Sequence, residues 1–256
     1  MNLRRTMFTL AAAAVVSLAT AVPAHADQKV TFKLDELNGS GSQATATLTA
    51  RDDGSLHVKI TGDGFTPNSP HAQHIHGAAH SRNFFCPPAS ADKDGDGQIA
   101  TEEGLSQYGD VFVSLTTKGD TSKKSGLAVD RMPVADESGR LSYERTIPAS
   151  GLPAGTIDSL QHLHIVQHGL DVNGNDKYDM AALGESVFAK SLGVSGIPEE
   201  ATNPATCGEV AATGGVETGA DSTGGVENLG LFAAGGIALL GAGAVLTVRR
   251  RVRVTA

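Results

Sequence analysis

The 256-residue chain has no tryptophan, only three tyrosines and eight phenylalanines. So few rings leave little material for a base-stacking platform or an aromatic sugar cleft, which argues against nucleic acid and carbohydrate as ligands. No Gly-x-Ser-x-Gly elbow, phosphate-cradling Gly-x-x-x-x-Gly-Lys loop or His-Glu-x-x-His helix occurs, which places hydrolase and nucleotide-enzyme readings low. Positive charge is scarce where it would matter. Six of the twenty basic residues lie at the ends (Arg4, Arg5, Arg249, Arg250, Arg251 and Arg253), leaving 14 basic against 28 acidic residues between Asp27 and Asn228, a balance of −14. A body this acidic repels phosphates and invites cations or basic partners.

Both ends read as export and anchoring signals. Residues 1–26 combine a basic start, an apolar stretch from Phe8 to Val22 and the small-x-small sequence Ala24-His25-Ala26, a signal peptide cleaved before Asp27. Arg4-Arg5 with Phe8 leaves general secretion and twin-arginine export both open. Leu229 to Val248 carries no charge and, at a rise of ~1.5 Å per residue, spans the ~30 Å of a bilayer core as a transmembrane helix. The arginines beyond it form a cytoplasmic tail over 249–256, which places the N-terminal body outside the cell. Before the span, TGGVE occurs at Thr213–Glu217 and again at Thr223–Glu227 in a Gly/Thr-rich stalk over 209–228. Stalk, span and basic tail resemble the sorting signals of Gram-positive surface proteins. The sorting pentapeptide is absent, Val216-Glu217-Thr218-Gly219 being the nearest sequence, so a retained membrane anchor is expected rather than attachment to the wall.

Residues 27–208 remain as one extracellular domain. Alternating apolar segments (Val30-Phe32-Leu34, Ala44 to Leu48, Leu56-Val58-Ile60, Val111 to Leu115, Leu141-Tyr143 and Leu160 to Val166) are separated by turns such as Asp52-Asp53-Gly54 and Asp63-Gly64. This spacing predicts an all-β fold, an antiparallel Greek-key sandwich or barrel. Helix is expected only in short pieces, one following Thr101 and one near Ala182 to Leu192. Cys86 and Cys207, in an exported chain, are expected to form a disulfide.

Seven of the nine histidines fall in two clusters: His71, His74, His76 and His80 in HAQHIHGAAH, and His162, His164 and His168 in HLHIVQH. Side chains alternate along a strand, so His74 and His76 share a face, as would His162 and His164. Two such strands side by side would offer four imidazoles to one copper or zinc ion, with His71, His80 and His168 as further ligands or supports. His57, between Leu56 and Val58, reads as a surface residue. Structural histidines hydrogen-bonded across strands are the competing reading.

Asp92-Lys93-Asp94-Gly95-Asp96-Gly97-Gln98-Ile99-Ala100-Thr101-Glu102-Glu103 matches the twelve-residue calcium loop at every diagnostic place. The carboxylates of Asp92, Asp94, Asp96 and Glu103, with the Gln98 carbonyl, would form the cage. Pro87-Pro88 precedes it instead of a helix, which predicts a calcium loop grafted into a β-domain with a structural role. A second, less complete loop offers Asp171, Asn173, Asn175 and Asp179 but has neither a glycine at the sixth place nor a glutamate at the twelfth.

HAQHIHG and HLHIVQHGLDVNGNDKYD in an exported β-rich chain resemble the chordin-type (CHRD) domain of bacterial surface proteins, over about His71 to Asp179, and the calcium loop resembles an insertion seen in actinobacterial members. The resemblance implies a surface domain with a metal site rather than a reaction. A weaker likeness is to copper-zinc superoxide dismutase, whose His-x-His, following cysteine and later histidine would correspond to His74, His76, Cys86 (with Cys207) and His164. The likeness lacks the zinc-loop set of histidines and aspartate after His80, and the net charge opposes attraction of superoxide. The expected function is therefore a membrane-anchored extracellular domain that binds copper or zinc through histidines and calcium through its first loop, the second loop being either a further calcium site or a plain Asn-Gly turn, with metal ions, the membrane and a surface protein as partners. A dismutase-like metalloenzyme and a calcium-stiffened adhesion or wall-associated module are the rival classes.

Overall fold

A computed structural model describes residues 28–80 and 84–210. The signal peptide, most of the stalk, the transmembrane span and the basic tail lie outside the described residues. Among the described residues no helix is long and apolar enough to cross a membrane.

Eight strands form one antiparallel sheet: β1 (Gln28–Glu36), β2 (Gln43–Ala50), β3 (Leu56–Asp63), β4 (Gln73–His76), β5 (Val111–Ser114), β6 (Leu141–Ile147), β7 (His164–His168) and β8 (Pro204–Val210), in the order β5-β4-β7-β8-β1-β2-β3-β6. The sheet curls into a half-barrel. Side chains of the last strand reach the chain just beyond the first: Tyr143 Oη and Arg145 Nη1 both donate to the Thr116 carbonyl, at 3.1 and 2.6 Å. The expected all-β antiparallel class is observed, as this curled single sheet.

The period-two pattern explains the inner face. Val30, Phe32 and Leu34 of β1, Ala46 and Leu48 of β2, Leu56, Val58 and Ile60 of β3, and Tyr143 and Ile147 of β6 are buried in one core, while their alternates carry Thr and Lys to solvent. Ile75, Val113 and Ile165 extend the core across β4, β5 and β7. At that end the outer face is buried too, and every residue of β4 and β7 is inaccessible. Two long insertions cover it. The first, between β4 and β5, contains α1 (Thr101–Tyr108), and the second, between β7 and β8, contains α3 (Val187–Ser191) and α4 (Glu199–Thr202). The histidines therefore lie on the sheet's outer face beneath a lid of loops.

Three expectations are corrected. The strand foreseen from Leu160 is instead α2 (Thr156–Ser159) followed by a 3-10 turn, Leu160–His162, before β7 begins at His164. Leu160 and Leu163, one helical turn apart, are both buried in the core, a spacing that a strand of period two cannot satisfy. Helix near Ala182 to Leu192 is confined to α3, and α2 and α4 add helix that was not expected. The domain also runs past residue 208, because β8 continues to Val210 in register with Phe32.

Cys86 and Cys207 form a disulfide with a sequence separation of 121. It ties the first insertion to β8 beside Val166 and Tyr108. Closing so long a loop is worth about 5 kcal/mol in the chain-entropy picture. The Cys86→Ser/Cys207→Ser variant is therefore expected to lose about that much unfolding free energy in urea titrations. A loss below about 1 kcal/mol would show that the bond adds little constraint to the unfolded chain.

Candidate metal centre

His74 and His76 project from β4 to the outer face, and His168 joins them from the end of β7, on the same face of that strand as His164 and Val166, which pair with His76 and His74. One ring nitrogen from each of His74, His76 and His168 lies within 4.8 Å of the other two. All three residues are nearly inaccessible.

Their tautomers follow from backbone carbonyls, which can only accept. His74 Nε2 donates to the Gly126 carbonyl at 3.0 Å, His76 Nδ1 to Gly109 at 2.9 Å and His168 Nδ1 to Thr202 at 2.6 Å. In a neutral imidazole the opposite nitrogen then carries a lone pair. Those opposite atoms, His74 Nδ1, His76 Nε2 and His168 Nε2, are buried and have no hydrogen-bond partner. A buried, unpartnered acceptor is costly unless something fills it, and three of them on three clustered rings match the donor set of a zinc or copper ion. Hydrogen bonds of this kind, from one ring nitrogen to a backbone carbonyl, are what orient imidazoles in metal sites generally.

Burial keeps these rings neutral. Desolvation, reinforced by repulsion from His168, lowers His76 to about 3, and desolvation lowers His168 to about 4. His74 is held well below the usual histidine range by desolvation and by its two neighbours. Metal ions bind the neutral form, so the site needs no deprotonation near neutral pH.

The remaining histidines divide. His164 pairs directly opposite His76 across the sheet; its Nδ1 is buried and unpartnered, and its Nε2 lies 3.6 Å from Glu209 Oε1. It stands beside the trio but outside the mutual cluster. His71 is buried, with its ring nitrogens 3.0 Å from the His168 carbonyl and 3.2 Å from the Thr66 carbonyl, and with the Tyr178 hydroxyl 3.1 Å from both. Neither nitrogen is free for a metal, so His71 braces the strand instead. His80 is exposed at a left-handed φ of 60° and His162 is half-buried in the 3-10 turn; neither belongs to the cluster. The sharing of a face by His162 and His164 is thus not realised, and His168 supplies the imidazole instead.

The first acidic loop places carboxylate oxygens of Asp92, Asp94 and Asp96 within 4.8 Å of one another. Asp92 accepts from the amides of Gly95 and Gly97 at 2.7 and 3.0 Å, and Glu103 accepts from those of Lys93 and Ala100 at 2.7 and 2.9 Å. Gln98 lies between Asp96, which accepts its amide at 2.7 Å, and the buried Ile99. The second loop repeats the part of this pattern held by its first-place aspartate. Asp171 accepts from Gly174 and Asp176 at 2.8 and 2.6 Å, and Asp176 takes a φ of 63° where the first loop has Gly97 at 89°. Asn173 and Asn175 both donate to Asp179. The twelfth-place carboxylate comes from elsewhere: Glu200 on α4, fully buried, accepts from Val172 and Asp179 at 2.9 and 2.8 Å, the second- and ninth-place amides that Glu103 holds in the first loop. Glu200 escapes sequence reasoning because it stands far beyond the spacing of the motif.

Both loops run into the supports of the histidine trio. Thr101, which starts α1, donates to the Thr202 carbonyl at 2.5 Å, the acceptor of the His168 N–H. At the other end of α1, the Tyr108 ring packs 4.7 Å from that of His76, and its hydroxyl donates to the Thr101 carbonyl. Gly109, the next residue, supplies the carbonyl for His76. Thr202 lies on α4, two residues after Glu200. No family model and no curated protein matches the chain.

Proposed function

We propose that the domain is a metal-binding module of the cell surface, in which His74, His76 and His168 hold one copper or zinc ion and the two acidic loops hold calcium as structural braces. The observation that carries this reading is a cluster of three buried imidazoles, one nitrogen of each within 4.8 Å of the other two, in which every ring also holds an unpartnered nitrogen opposite one bonded to a backbone carbonyl. Three neutral imidazoles suit zinc or copper, and the fourth coordination position is left for His164, a water or an outside ligand. The ion would supply a Lewis-acid or redox centre. The protein's residues orient the rings, exclude bulk water and keep the nitrogens unprotonated. Glu200 completes the second calcium set in place of the absent twelfth-position residue. No catalytic reaction is assigned. The export signal, the C-terminal apolar span and the resemblance to CHRD domains support a location on the outer face of the membrane.

Elemental analysis of the purified mature protein tests this. One tightly held copper or zinc and two calcium ions per chain are expected. His74→Ala/His76→Ala/His168→Ala should lose the first and keep the calcium, whereas His80→Ala and His162→Ala should keep all three ions. Calcium alone in the parent protein, after copper and zinc are offered, would overturn the histidine centre and leave a calcium-stiffened surface module.

A further inference from the structure

A cleft of about 1090 Å³ opens beside the histidine trio, and His74 forms part of its wall. Leu105, Val111, Leu127, Phe188, Leu192 and Val194 supply an apolar lining drawn from α1, β5, the loop after β5 and α3 with the chain beyond it. A volume of this order suits small organic ligands, and apolar walls with a few convergent polar groups are the usual make-up of such sites. Charge at the rim is balanced: Lys123 pairs with Asp110, and Lys124 is matched by Glu102. The wall thus shows no preference for an anion or a cation.

The cleft is tied to the trio by one residue. His74 is 4% exposed, its Nε2–H is engaged by Gly126, also on the cleft wall, and its Nδ1 is buried without a partner. Gly126 adjoins both the lining and the trio: a Cβ there would lie at ordinary contact distance, 3.8 and 3.9 Å, from Val111 Cγ2 and His74 Nε2, and 3.2 Å from the Lys123 carbonyl oxygen. Leu192 and Val194 are 55% and 36% exposed at the opening, where a solvent-facing segment would ordinarily carry polar side chains.

We infer that this cleft admits an uncharged small organic molecule with an apolar body, whose nitrogen or oxygen donor takes an open coordination position of the ion held by His74, His76 and His168. The inference rests on the proposed histidine centre, and it adds a ligand class to what would otherwise be metal storage. The apolar lining selects the body and the metal selects the donor atom.

The probes are 4-phenylimidazole and imidazole, which share a donor and differ by an apolar ring, titrated into the copper-loaded full chain and followed by the copper electron paramagnetic resonance spectrum. 4-Phenylimidazole is expected to perturb the spectrum at a concentration roughly tenfold or more below that needed for imidazole, from burial of the added ring. In Leu192→Asp/Val194→Asp, whose side chains are exposed enough to leave the fold intact, the ratio should fall to about twofold while imidazole itself is unaffected. Val134→Asp, an exposed position away from the cleft and from both acidic loops, should preserve the ratio. Equal concentrations for the two probes in the parent protein, or a preference that survives the double substitution, would overturn the inference. If the chain takes up no copper, the histidine reading fails separately. The cleft is then judged on the metal-free chain: 4-phenylimidazole should shift the amide resonances of Leu105, Val111 and Leu127, and their constancy would overturn the cleft as well.

Discussion

Withdrawing calcium is expected to weaken zinc binding at the histidine centre about ten- to a hundredfold, although no calcium-loop carboxylate belongs to the histidine trio. Glu103 fixes the start of α1 by accepting the Ala100 amide, and α1 then carries Thr101, Tyr108 and Gly109 to His168 and His76. Glu200 does the same for α4, whose Thr202 carbonyl orients His168. Without the cation, Asp92, Asp94 and Asp96, with oxygens within 4.8 Å of one another, repel. The loop then relaxes, and the carbonyls that hold the imidazoles lose their fixed positions. Loss of such outer supports typically costs one to two orders of magnitude in metal affinity.

The measurement is the zinc dissociation constant, from competition with a chromogenic chelator, in calcium-free buffer and in millimolar calcium. Glu103→Gln and Glu200→Gln should each reproduce part of the loss with calcium present, and linkage requires zinc to tighten calcium binding by the same factor. Zinc affinity independent of calcium in the parent chain would show that the hydrogen-bond chain from loops to histidines transmits nothing. The melting temperature should also fall in calcium-free buffer, because an ion bound only by the folded state adds its binding free energy to stability.

The strands of the first half were legible because each has one face in the core and one in water, so the alternation in Val30-Phe32-Leu34 or Leu56-Val58-Ile60 is undiluted. The disulfide was expected from an even cysteine count behind a signal-like N-terminal segment, and the observed bond agrees. The His74/His76 pair was legible for the same reason as the strands. His168 was not given its weight, because the expectation paired His164 with His162; four residues beyond His164 on one strand, His168 shares its face by the same alternation. The exchange of His162 for His168 depends on Leu160 and Leu163 being buried together, which the apolar run Leu160 to Val166 conceals. β8 begins at Pro204, and a proline with a short small-residue run hides a strand that packs against both β1 and β7. Glu200 and the apolar cleft belong to tertiary structure alone. Each joins segments separated by tens of residues, beyond the reach of spacing rules.

Acid is expected to destabilise the metal-free protein steeply between about pH 6.5 and pH 4, through the same three histidines. In the folded chain burial holds His76 at about 3 and His168 at about 4, and holds His74 well below its ordinary value. In the unfolded chain all three titrate near 6.5. Above that value both states are neutral at these positions and the histidines contribute no pH dependence. Below it the unfolded chain binds protons that the folded chain refuses, so stability falls by about 1.4 kcal/mol per pH unit for each ring and about 4 kcal/mol per pH unit for the three together. The decline from these groups ends only where the folded rings themselves take up protons. Urea unfolding across this range, with the parent and a His74→Gln variant compared so that the carboxylates cancel, should show the variant's slope reduced by about 1.4 kcal/mol per pH unit. Identical slopes would mean that His74 titrates normally and is not sealed in the outer face. Bound zinc acts in the opposite sense, since it occupies the nitrogens that protons would need. The loaded protein should therefore keep its neutral-pH stability further into acid and then lose metal and fold together, a coincidence visible when released zinc and ellipticity are followed in one titration.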